Sequence, residues 1–478
     1  MRRVLFLAYH FPPVGGSGVQ RSLAFARYLR ESGYDPVVVT GPGLMAGRWT
    51  PADPSLSDGV PADLEVLRLE SEPEPASRRR RRAQRLLGLE SSFARWWVEG
   101  AVVVGRRASG IDLVYASMSP FETASAAATL SRALGRPWVA DLRDPWALDE
   151  LTVYPSALHR RRELRRMRRL LGTASAIVMN TEEAAQAVRE RFPALAGRVA
   201  TIPNGFDARN FEGHQPERRD GTFRVVHAGY LHTELGRSFR RFRTLRRLAG
   251  GAPERVDLLT RSHLYLLDAV ERVLAAEPDL RARIEVHLAG VLSEADRELL
   301  RPDVVHAHGY LPHAEAVALV RSADLLFLPM HDLPPGRRAR IVPAKTYEYL
   351  ASGRPILAAV PDGDACELLS RAETALLCRP SDVAAMARII AAEARTFLER
   401  GRARTRRPGV VLPYERRELT RRLAAVFDTV VSVRATAEAP PLLPAADPGE
   451  ARLETRAAAG AARTPSRAPR PSPRARAR

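Results

Sequence analysis

Lysine is almost missing from this chain. All but one of its 74 lysine and arginine residues are arginine, and the exception is Lys345, in the stretch IVPAKTYEYLASGRP at 341–355. Such a strong excess of arginine over lysine usually reflects genome composition. The one ammonium is nonetheless a compact point charge, which suits a phosphate approached from a crowded side where a planar guanidinium does not fit. Lys345 is therefore a candidate for anion binding.

Cysteine and long apolar runs are scarce as well. The two cysteines, Cys366 and Cys378, suit neither a disulfide framework nor a zinc site, so we expect a reducing compartment. No uninterrupted apolar stretch reaches the ~20 residues that span a bilayer. The apolar run after the basic start, VLFLAY at 4–9, is short for a signal peptide and is typical of a buried strand. We expect a cytoplasmic protein, with peripheral attachment at the inner face of the cell membrane as an alternative.

Charge of one sign dominates, with a formal net charge of +19 and arginine clusters at 78–85, 160–169 and 237–247. A basic surface attracts nucleic acid, anionic lipid or phosphorylated substrates, and its plainer interpretation is a solvated face. The pair Trp96–Trp97 favours docking on an anionic membrane surface or, alternatively, packing in a core. We expect no specific nucleic acid partner, because no known nucleic-acid-binding module is recognisable and aromatics do not interleave with the basic runs.

Strand and helix patterns alternate along the chain, which predicts an α/β fold with parallel sheets. Apolar strands occur at 4–9, 35–40, 112–117, 138–142, 176–180 and 199–204, and a second set runs from 224–231 to 374–380. The polar break between the sets predicts two tandem, Rossmann-like, doubly wound domains that face a cleft. We assign 1–205 to a first domain, 206–410 to a second domain with an insertion at 233–258, 411–434 to a terminal helix that packs back on the first domain, and 435–478 to a disordered Ala/Pro/Arg-rich tail.

Three stretches carry residues that suit chemistry. FPPVGGSGVQR at 11–21 puts Gly15 and Gly16 between a strand and a helix, where the backbone can approach an anion, although the spacing is not the dinucleotide fingerprint. VADLRDPW at 139–146 places Arg143 and Asp144 at a strand's carboxyl end, where they contact a ligand or simply pair in a loop. Lys345 and Glu348 share one helical face. They either form a surface ion pair or bind a nucleotide, with Lys345 at a phosphate and Glu348 at the ribose hydroxyls.

Taken together, these motifs resemble the retaining GT-B glycosyltransferases of glycosyltransferase family 4. The similar pieces occur in family order over roughly 1–431, and they are YHFPPVGGSGVQR, SMSP, ADLRDPW, IPNGFD, HAGYL, RSHLYLLDAVERV, HLAG, HGYLPHAEAVALVRSADLLFLPM and PAKTYEYLASGRPIL. The resemblance implies transfer of a sugar from a nucleotide diphosphate donor to a glycan or lipid-linked acceptor, in the synthesis of a bacterial cell-surface polysaccharide. It also implies that 1–205 is the acceptor-side domain and 206–410 the donor-side domain.

The resemblance also assigns roles. Arg261 and Lys345 would neutralise the donor diphosphate, Gly15 and Gly16 would let it approach, and Glu348 would hold the ribose. Arg143 is a further substrate-binding candidate, and Asp144 is a candidate for contact with the donor sugar or the acceptor hydroxyl.

Three further expectations concern departures, cofactors and rival functions. The family's first glutamate falls at position 340, which is Arg340 here. No metal or other cofactor is expected, and the DGD triplet at 362–364 is interpreted as a helix start. A non-catalytic relative, a sugar-nucleotide epimerase of the same fold and an arginine-rich nucleic-acid-binding protein stay open as alternatives.

Overall fold

The computed structural model describes residues 1–43, 51–71, 89–213, 220–242, 255–400 and 411–438, with isolated positions at 73, 77, 79–80, 83–84, 218, 244 and 249–250. The tail predicted for 435–478 lies outside the described residues from 439 onward. Two fully parallel sheets organise the described part of the chain, and helices cover them. This arrangement confirms the predicted α/β class with two doubly wound halves. Among the described residues, no helix is both long and apolar enough to cross a bilayer.

The first sheet, which we call the first lobe together with its helices, has seven strands in the order β3-β2-β1-β4-β5-β6-β7. The strands are β1 Arg2–Ala8, β2 Tyr34–Thr40, β3 Glu65–Arg68, β4 Ile111–Met118, β5 Trp138–Leu142, β6 Ala176–Met179 and β7 Val199–Thr201. The helices are α1 Ser17–Tyr28, α2 Ser92–Gly105, α3 Thr123–Leu134, α4 Ala157–Leu171 and α5 Glu182–Arg191. The central strands are buried on both faces, as expected where helices cover both sides of a parallel sheet.

Trp97 belongs to the core of this lobe. Its ring is fully buried, and its Nε1 donates to Thr123 Oγ1 at 3.0 Å. The neighbouring Trp96 is partly buried and packs against the same cluster. Core packing, one of the two alternatives for this pair, is therefore what the structure shows for Trp97.

A buried ion pair ties α1 to β5. The Arg21 guanidinium donates to both carboxylate oxygens of Asp141, at 2.9 and 3.0 Å, and both side chains are almost fully buried. The remaining donors of Arg21 reach the carbonyls of Ile202 and Pro203. Bidentate, fully bonded geometry of this kind offsets the cost of burying both charges. Asp141 therefore has a structural role.

The second sheet, which defines the second lobe, has six strands in the order β10-β9-β8-β11-β12-β13. The strands are β8 Phe223–Ala228, β9 Ile284–Ala289, β10 Val305–Gly309, β11 Leu325–Pro329, β12 Ile356–Ala359 and β13 Ala375–Cys378. The helices are α6 Thr233–Arg241, α7 Leu264–Ala276, α8 Glu294–Arg297, α9 His313–Arg321, α10 Lys345–Ser352, α11 Asp364–Ser370 and α12 Val383–Arg400. Of the predicted insertion at 233–258, the start forms α6, and residues 243, 245–248 and 251–254 lie outside the described residues.

The chain crosses between the lobes twice, and the two crossings are bonded to each other. The first crossing runs through Gly205 and Phe206, and the second passes Tyr414 and Arg416 on its way to the last helix, α13 Arg416–Glu438. The Phe206 amide donates to the Tyr414 carbonyl at 3.1 Å, and the Arg416 amide donates to the Phe206 carbonyl at 2.9 Å. A Cβ at Gly205 would overlap the Tyr414 carbonyl oxygen, so this close approach requires glycine.

Helix α13 then returns to the first lobe. Its buried face packs against the aromatic side of the first sheet, where the Phe427 ring lies 5.2 Å from Tyr34 and 5.6 Å from Tyr115. The Tyr34 hydroxyl also donates to Asp428 at 2.7 Å. Apolar residues of α13, such as Leu423, extend the same core. The last described helix thus completes the lobe in which the chain began.

Candidate active site

A cavity of about 540 Å³ lies between the two lobes. The strand order of each sheet reverses once, between β1 and β4 in the first lobe and between β8 and β11 in the second. Open parallel sheets bind ligands at the carboxyl ends of strands beside such a reversal. The loops after these strands contribute to the cavity lining, and six of the seven predicted site residues belong to that lining: Gly15, Gly16, Arg143, Asp144, Arg261 and Lys345.

The glycine loop after β1 forms one wall of this cavity. The Gly15 amide donates to the Pro51 carbonyl at 2.7 Å, and a Cβ at this position would lie 2.5 Å from the Tyr310 hydroxyl oxygen of the other lobe. Gly16 has a φ of 112°, which disfavours any side chain. Helix α1 begins directly afterwards with no side-chain cap at its N-terminus. Its first amides and its positive dipole end therefore face the cavity wall.

Arg143 lies directly over the start of α1. Its guanidinium occupies the place where a Cβ of Gly18 would be, so the second residue of the helix must be small. The Arg143 Nε donates to the Met118 carbonyl at 2.9 Å, and the Asn180 side chain donates to the Arg143 carbonyl. Burial lowers the pKa of Arg143, whereas the negative charge of Asp144 acts to raise it. A cation and a helix N-terminus repel each other, so their convergence creates a region that favours an anion.

Asp144 and Arg261 face each other across the cleft. Asp144 is exposed to the cavity, and the protein around it raises the pKa of its carboxyl by limiting solvation, against the opposing charges of Arg143 and Arg261. Arg261 follows a tight turn, and its carbonyl accepts from the His232 amide at 2.9 Å. Burial lowers the pKa of Arg261, while Asp144 and Asp149 act in the other direction. The two lobes thus bring complementary charges to one space.

Lys345 and Glu348 form a close ion pair in the first turn of α10. The Lys345 Nζ donates to Glu348 Oε2 at 2.7 Å, with side-chain exposures of 24% and 5% respectively. Burial alone would raise the pKa of Glu348, but the charges of Lys345, His313 and Arg416 hold it at about 2. Lys345 lines the cavity, whereas Glu348 is not among the lining residues and lies behind it. The pair is therefore partly buried, unlike an ordinary surface ion pair.

Arg340, which stands where the resembling family has a glutamate, reaches into the first lobe. Its guanidinium donates to the Leu148 carbonyl at 3.0 Å, and its amide donates to Glu150 Oε1 at 2.9 Å. The Thr181 hydroxyl in turn donates to the Arg340 carbonyl at 2.6 Å. Arg340 therefore bridges the lobes rather than facing the cavity. We call this set of contacts the Arg340 bridge.

Another bridge was not predicted from the sequence. The Tyr310 hydroxyl and the His313 amide both donate to Asp53 Oδ2, at 2.8 and 3.3 Å, so the second lobe is bonded to a loop of the first. The His313 ring also pairs with Gln20 at 2.8 Å and with Asn210 at 3.0 Å. Asp53 directly precedes a 3-10 turn, Pro54–Gly59, in the connection between β2 and β3, and nothing local in the sequence indicates its partners.

The two carboxylates of the DGD triplet at 362–364 have different partners. Asp364 Oδ2 accepts from the Glu183 amide of the first lobe at 2.9 Å, and the Asp362 side chain is exposed near Arg379. The triplet begins α11, as the sequence predicts. Asp364 therefore contributes a further contact between the lobes.

Known structures with the same architecture cover nearly the whole chain. HepE of Anabaena, solved in complex with UDP-glucose, is 15% identical, with 91% of this chain and 100% of that chain covered and a TM-score of 0.51. A glycosyltransferase from Rickettsia africae is 12% identical, with coverages of 90% and 98% and a TM-score of 0.55. A Listeria monocytogenes protein that carries the name of a UDP-N-acetylglucosamine 2-epimerase is 13% identical, with coverages of 90% and 97% and a TM-score of 0.52. At these identities the likeness shows the fold alone.

Sequence comparison identifies the family. No curated protein sequence matches the chain significantly. The sequence model of the family described as "Glycosyl transferase 4-like domain" matches residues 15–205, and that of "Glycosyl transferases group 1" matches residues 256–393. Together the two matches span more than half of the chain and fall on the first and second lobes respectively. The chain therefore belongs to the GT-B glycosyltransferases.

Proposed function

We propose that the protein transfers a hexosyl unit from a nucleotide diphosphate donor to a glycan or lipid-linked acceptor, with retention at the anomeric carbon and without a metal ion. The observation that carries this proposal is the convergence of positive groups on one cavity. Arg143 and the α1 N-terminus approach it from the first lobe, and Arg261 and Lys345 approach it from the second. A pyrophosphate has the charge and size to meet groups from both walls.

The proposed chemistry follows from where charge develops. As the bond between sugar and nucleotide breaks, negative charge grows on the β-phosphate and the sugar becomes oxocarbenium-like. Preorganised cations and helix-end amides that meet the growing charge lower the barrier. Arg261 and Lys345 would stabilise the departing diphosphate, with the backbone at Gly15 and Gly16 close beside it.

Glu348 and Asp144 take supporting parts in this proposal. Glu348 would hold the ribose, and its contact with the Lys345 ammonium supports a second part in orienting that cation. Asp144, exposed in the cavity beside Arg143, would contact the donor sugar or the acceptor hydroxyl. In a same-face route the departing phosphate accepts the acceptor's proton, so no second carboxylate placed as in hydrolases is needed. The interlobe bridges would keep water away from the reacting bond.

The acceptor belongs to a cell-surface polysaccharide pathway in this proposal, and a basic face supports docking at an anionic lipid surface. Helix α4 exposes five arginines along one side: Arg161, Arg162, Arg165, Arg168 and Arg169. Each basic residue near an anionic surface contributes about 1 kcal/mol. Binding to vesicles that contain phosphatidylglycerol should weaken with added salt and with arginine-to-glutamine changes on α4, and absence of binding at low salt would argue against docking. Half of the cluster at 78–85, namely residues 78, 81, 82 and 85, lies outside the described residues.

Lys345 offers an unusually selective test of the donor site. Because it is the only lysine, an amine-selective acetylating reagent modifies Lys345 and the terminal amine alone in an untagged chain. UDP-, GDP- and ADP-sugars are first screened by thermal shift, and the best binder should slow acetylation of Lys345 but not of the terminus. Equal rates with and without the bound donor would remove Lys345 from the site.

Turnover completes the test. Lys345→Ala should lower the rate of sugar transfer by about 10² to 10³, the usual effect of removing one transition-state charge partner. The matched control is Arg395→Ala, which removes an exposed cation paired with Glu277 and should leave turnover unchanged. Release of free nucleotide diphosphate only when an acceptor is present would support a transferase. A converted sugar nucleotide with no acceptor would instead indicate an epimerase, and neither product would indicate a binding protein.

A further inference from the structure

Four ionisable side chains cluster on one face of the second sheet, outside the residues that line the cavity. Glu285 and His287 come from β9, and His306 and His308 come from β10. Alternate residues of a strand share a face, and His306 pairs in register with His287. The intervening β9 residues Val286 and Leu288 point the other way, into the apolar core.

The ligand atoms of three of these residues converge. The His287 Nε2 lies 3.0 Å from Glu285 Oε2, and the His306 Nε2 lies 3.9 Å from Glu285 Oε1. The His287 and His306 rings stack with centroids 4.8 Å apart and planes 22° apart. Among the residues that the structure describes, these three have ligand atoms all within 4.8 Å of one another. Each is thus within a small adjustment of a shared ion.

His308 completes the arrangement without joining the three. Its Nε2 lies 2.9 Å from the Nδ1 of His287, on the far side of that ring from Glu285. A hydrogen bond to the second ring nitrogen is the usual support for a metal-binding histidine, because it fixes the ring orientation and the tautomer.

The fold alone does not require these residues. Strands of parallel sheets are usually apolar on both faces because helices cover both sides. Here β10 is an edge strand whose residues His306, Ala307 and His308 are exposed, so this corner of the sheet is open to solvent. Polar side chains are tolerated there, but close stacking of three imidazoles beside a carboxylate is a more specific feature than exposure demands.

One nearby cation acts against metal binding. The Arg224 guanidinium lies 3.8 Å from Glu285 Oε2 and also pairs with Asp220. An ion at the cluster would compete with Arg224 for the carboxylate. Removing the Arg224 charge should therefore strengthen metal binding, which gives a test of opposite sign to the ligand substitutions.

We propose that Glu285, His287 and His306 bind a borderline divalent transition-metal ion, for which Zn²⁺ is the representative, with His308 as a positioning residue. Two imidazoles and a carboxylate are a common donor set for Zn²⁺, and such three-ligand sites leave a further position for water. Because these residues lie outside the cavity lining, the ion would connect the edge strand β10 to β9 and take no part in sugar transfer. The inference is therefore independent of the proposed function.

Zinc binding to the untagged, chelator-treated chain tests the site. Isothermal titration should find one Zn²⁺ per chain at the cluster. His306 is the first target for substitution because its side chain is exposed, whereas replacing the buried His287 could also impair folding. His306→Ala and Glu285→Gln should each weaken binding at least about tenfold, and His308→Ala should do so by about tenfold as a supporting residue. Arg224→Gln should bind more tightly than the unaltered chain.

Control variants distinguish this site from nonspecific metal binding. His159→Ala changes a histidine of the first lobe, beside Ser156, and should leave the affinity unchanged. Co²⁺ should give the strong visible absorption of a four-coordinate site, and His306→Ala should abolish it. Equal Zn²⁺ affinity in His306→Ala, Glu285→Gln and the unaltered chain, or no binding by the unaltered chain, would overturn the proposal.

Discussion

Replacing Glu348 with glutamine removes one buried charge and keeps the side chain's shape. In the structure the Glu348 carboxylate accepts from the Lys345 ammonium at 2.7 Å and is 5% exposed. Burial pushes the pKa of Glu348 up, yet Lys345, His313 and Arg416 hold it at about 2 instead of the ordinary 4.5. Since one pKa unit corresponds to about 1.4 kcal/mol, the charged carboxylate contributes roughly 3 kcal/mol to the free energy of unfolding.

The sign of the pH dependence follows from the direction of the shift. A carboxyl whose pKa is lower in the folded state stabilises the fold above its unfolded pKa, here near 4.5, and this stability is lost as the pH falls toward 2. Glu348→Gln should therefore unfold more easily in urea by roughly 3 kcal/mol at pH 7. The difference from the unaltered chain should stay constant down to about pH 4.5 and shrink below it.

An exposed ion pair provides the matched control. Glu298 pairs with Arg237 at 2.7 Å, and both side chains are about half exposed. Glu298→Gln should change the free energy of unfolding by less than about 1 kcal/mol, as is typical of surface pairs. If Glu348→Gln were no more destabilising than Glu298→Gln at pH 7, the pairing of Glu348 with its cations would not stabilise the fold as reasoned here.

The same variant separates the two parts proposed for Glu348. If the carboxylate holds the ribose, Glu348→Gln should weaken binding of the bare nucleoside, which has a ribose but no phosphate. Loss of a hydrogen bond to a charged group costs about 1.5–3 kcal/mol, or roughly ten- to a hundredfold in affinity. If Glu348 only orients Lys345, nucleoside affinity should stay the same and affinity for the diphosphate should fall.

Three other substitutions address the site wall and the interlobe contacts. Gly18→Ala should displace the Arg143 guanidinium, which is a flexible end group, and so reduce turnover about tenfold while unfolding shifts by no more than about 1 kcal/mol, since alanine suits a helix. Arg340→Ala should loosen the Arg340 bridge and raise hydrolysis of the donor relative to transfer, measured as free sugar against product. Gly205→Ala should destabilise the protein by about 1–3 kcal/mol in urea unfolding, because the added methyl overlaps the Tyr414 carbonyl.

Neutral substitutions elsewhere complete these tests. Gly197→Ala adds a methyl group with nothing within 4 Å, so its free energy of unfolding should differ little from that of the unaltered chain. Arg395→Ala removes an exposed cation and should not change the ratio of hydrolysis to transfer. Normal turnover in Gly18→Ala would show that the observed position of Arg143 is not needed.

Most strands of both sheets were predictable because each is a short apolar run between turn residues. The runs at 4–9 and 138–142, for example, coincide with β1 and β5 to within a few residues. Strand β3 was not predicted, because its four residues EVLR are only partly buried at the edge of the sheet. Helix α2 was also not predicted, although Ser91 caps that helix by accepting from the Ala94 amide.

The candidate site was predictable only where a segment that lines the cavity carries a recognisable local sequence motif. Glycines after a strand and the PAKTYE segment can be found locally. Gly15, Gly16 and Lys345 do reach one cavity, whereas Glu348 lies behind its lining. The bridge from Asp53 to Tyr310 joins positions far apart in sequence, and neither neighbourhood carries a signal for the other. Likewise, the departure at Arg340 is visible in the sequence, but its contact with the Leu148 carbonyl depends on how the lobes meet.

The paired crossings at Gly205–Phe206 and at Tyr414–Arg416 have a mechanical consequence. A single connection would let the two lobes rotate and slide freely, whereas two crossings hydrogen-bonded side by side act as tethers that form a hinge along one edge of the cleft. The remaining freedom is a swing about that edge, so the far rim must travel furthest when the halves part. Substrates would accordingly enter and leave on the side opposite the tethers.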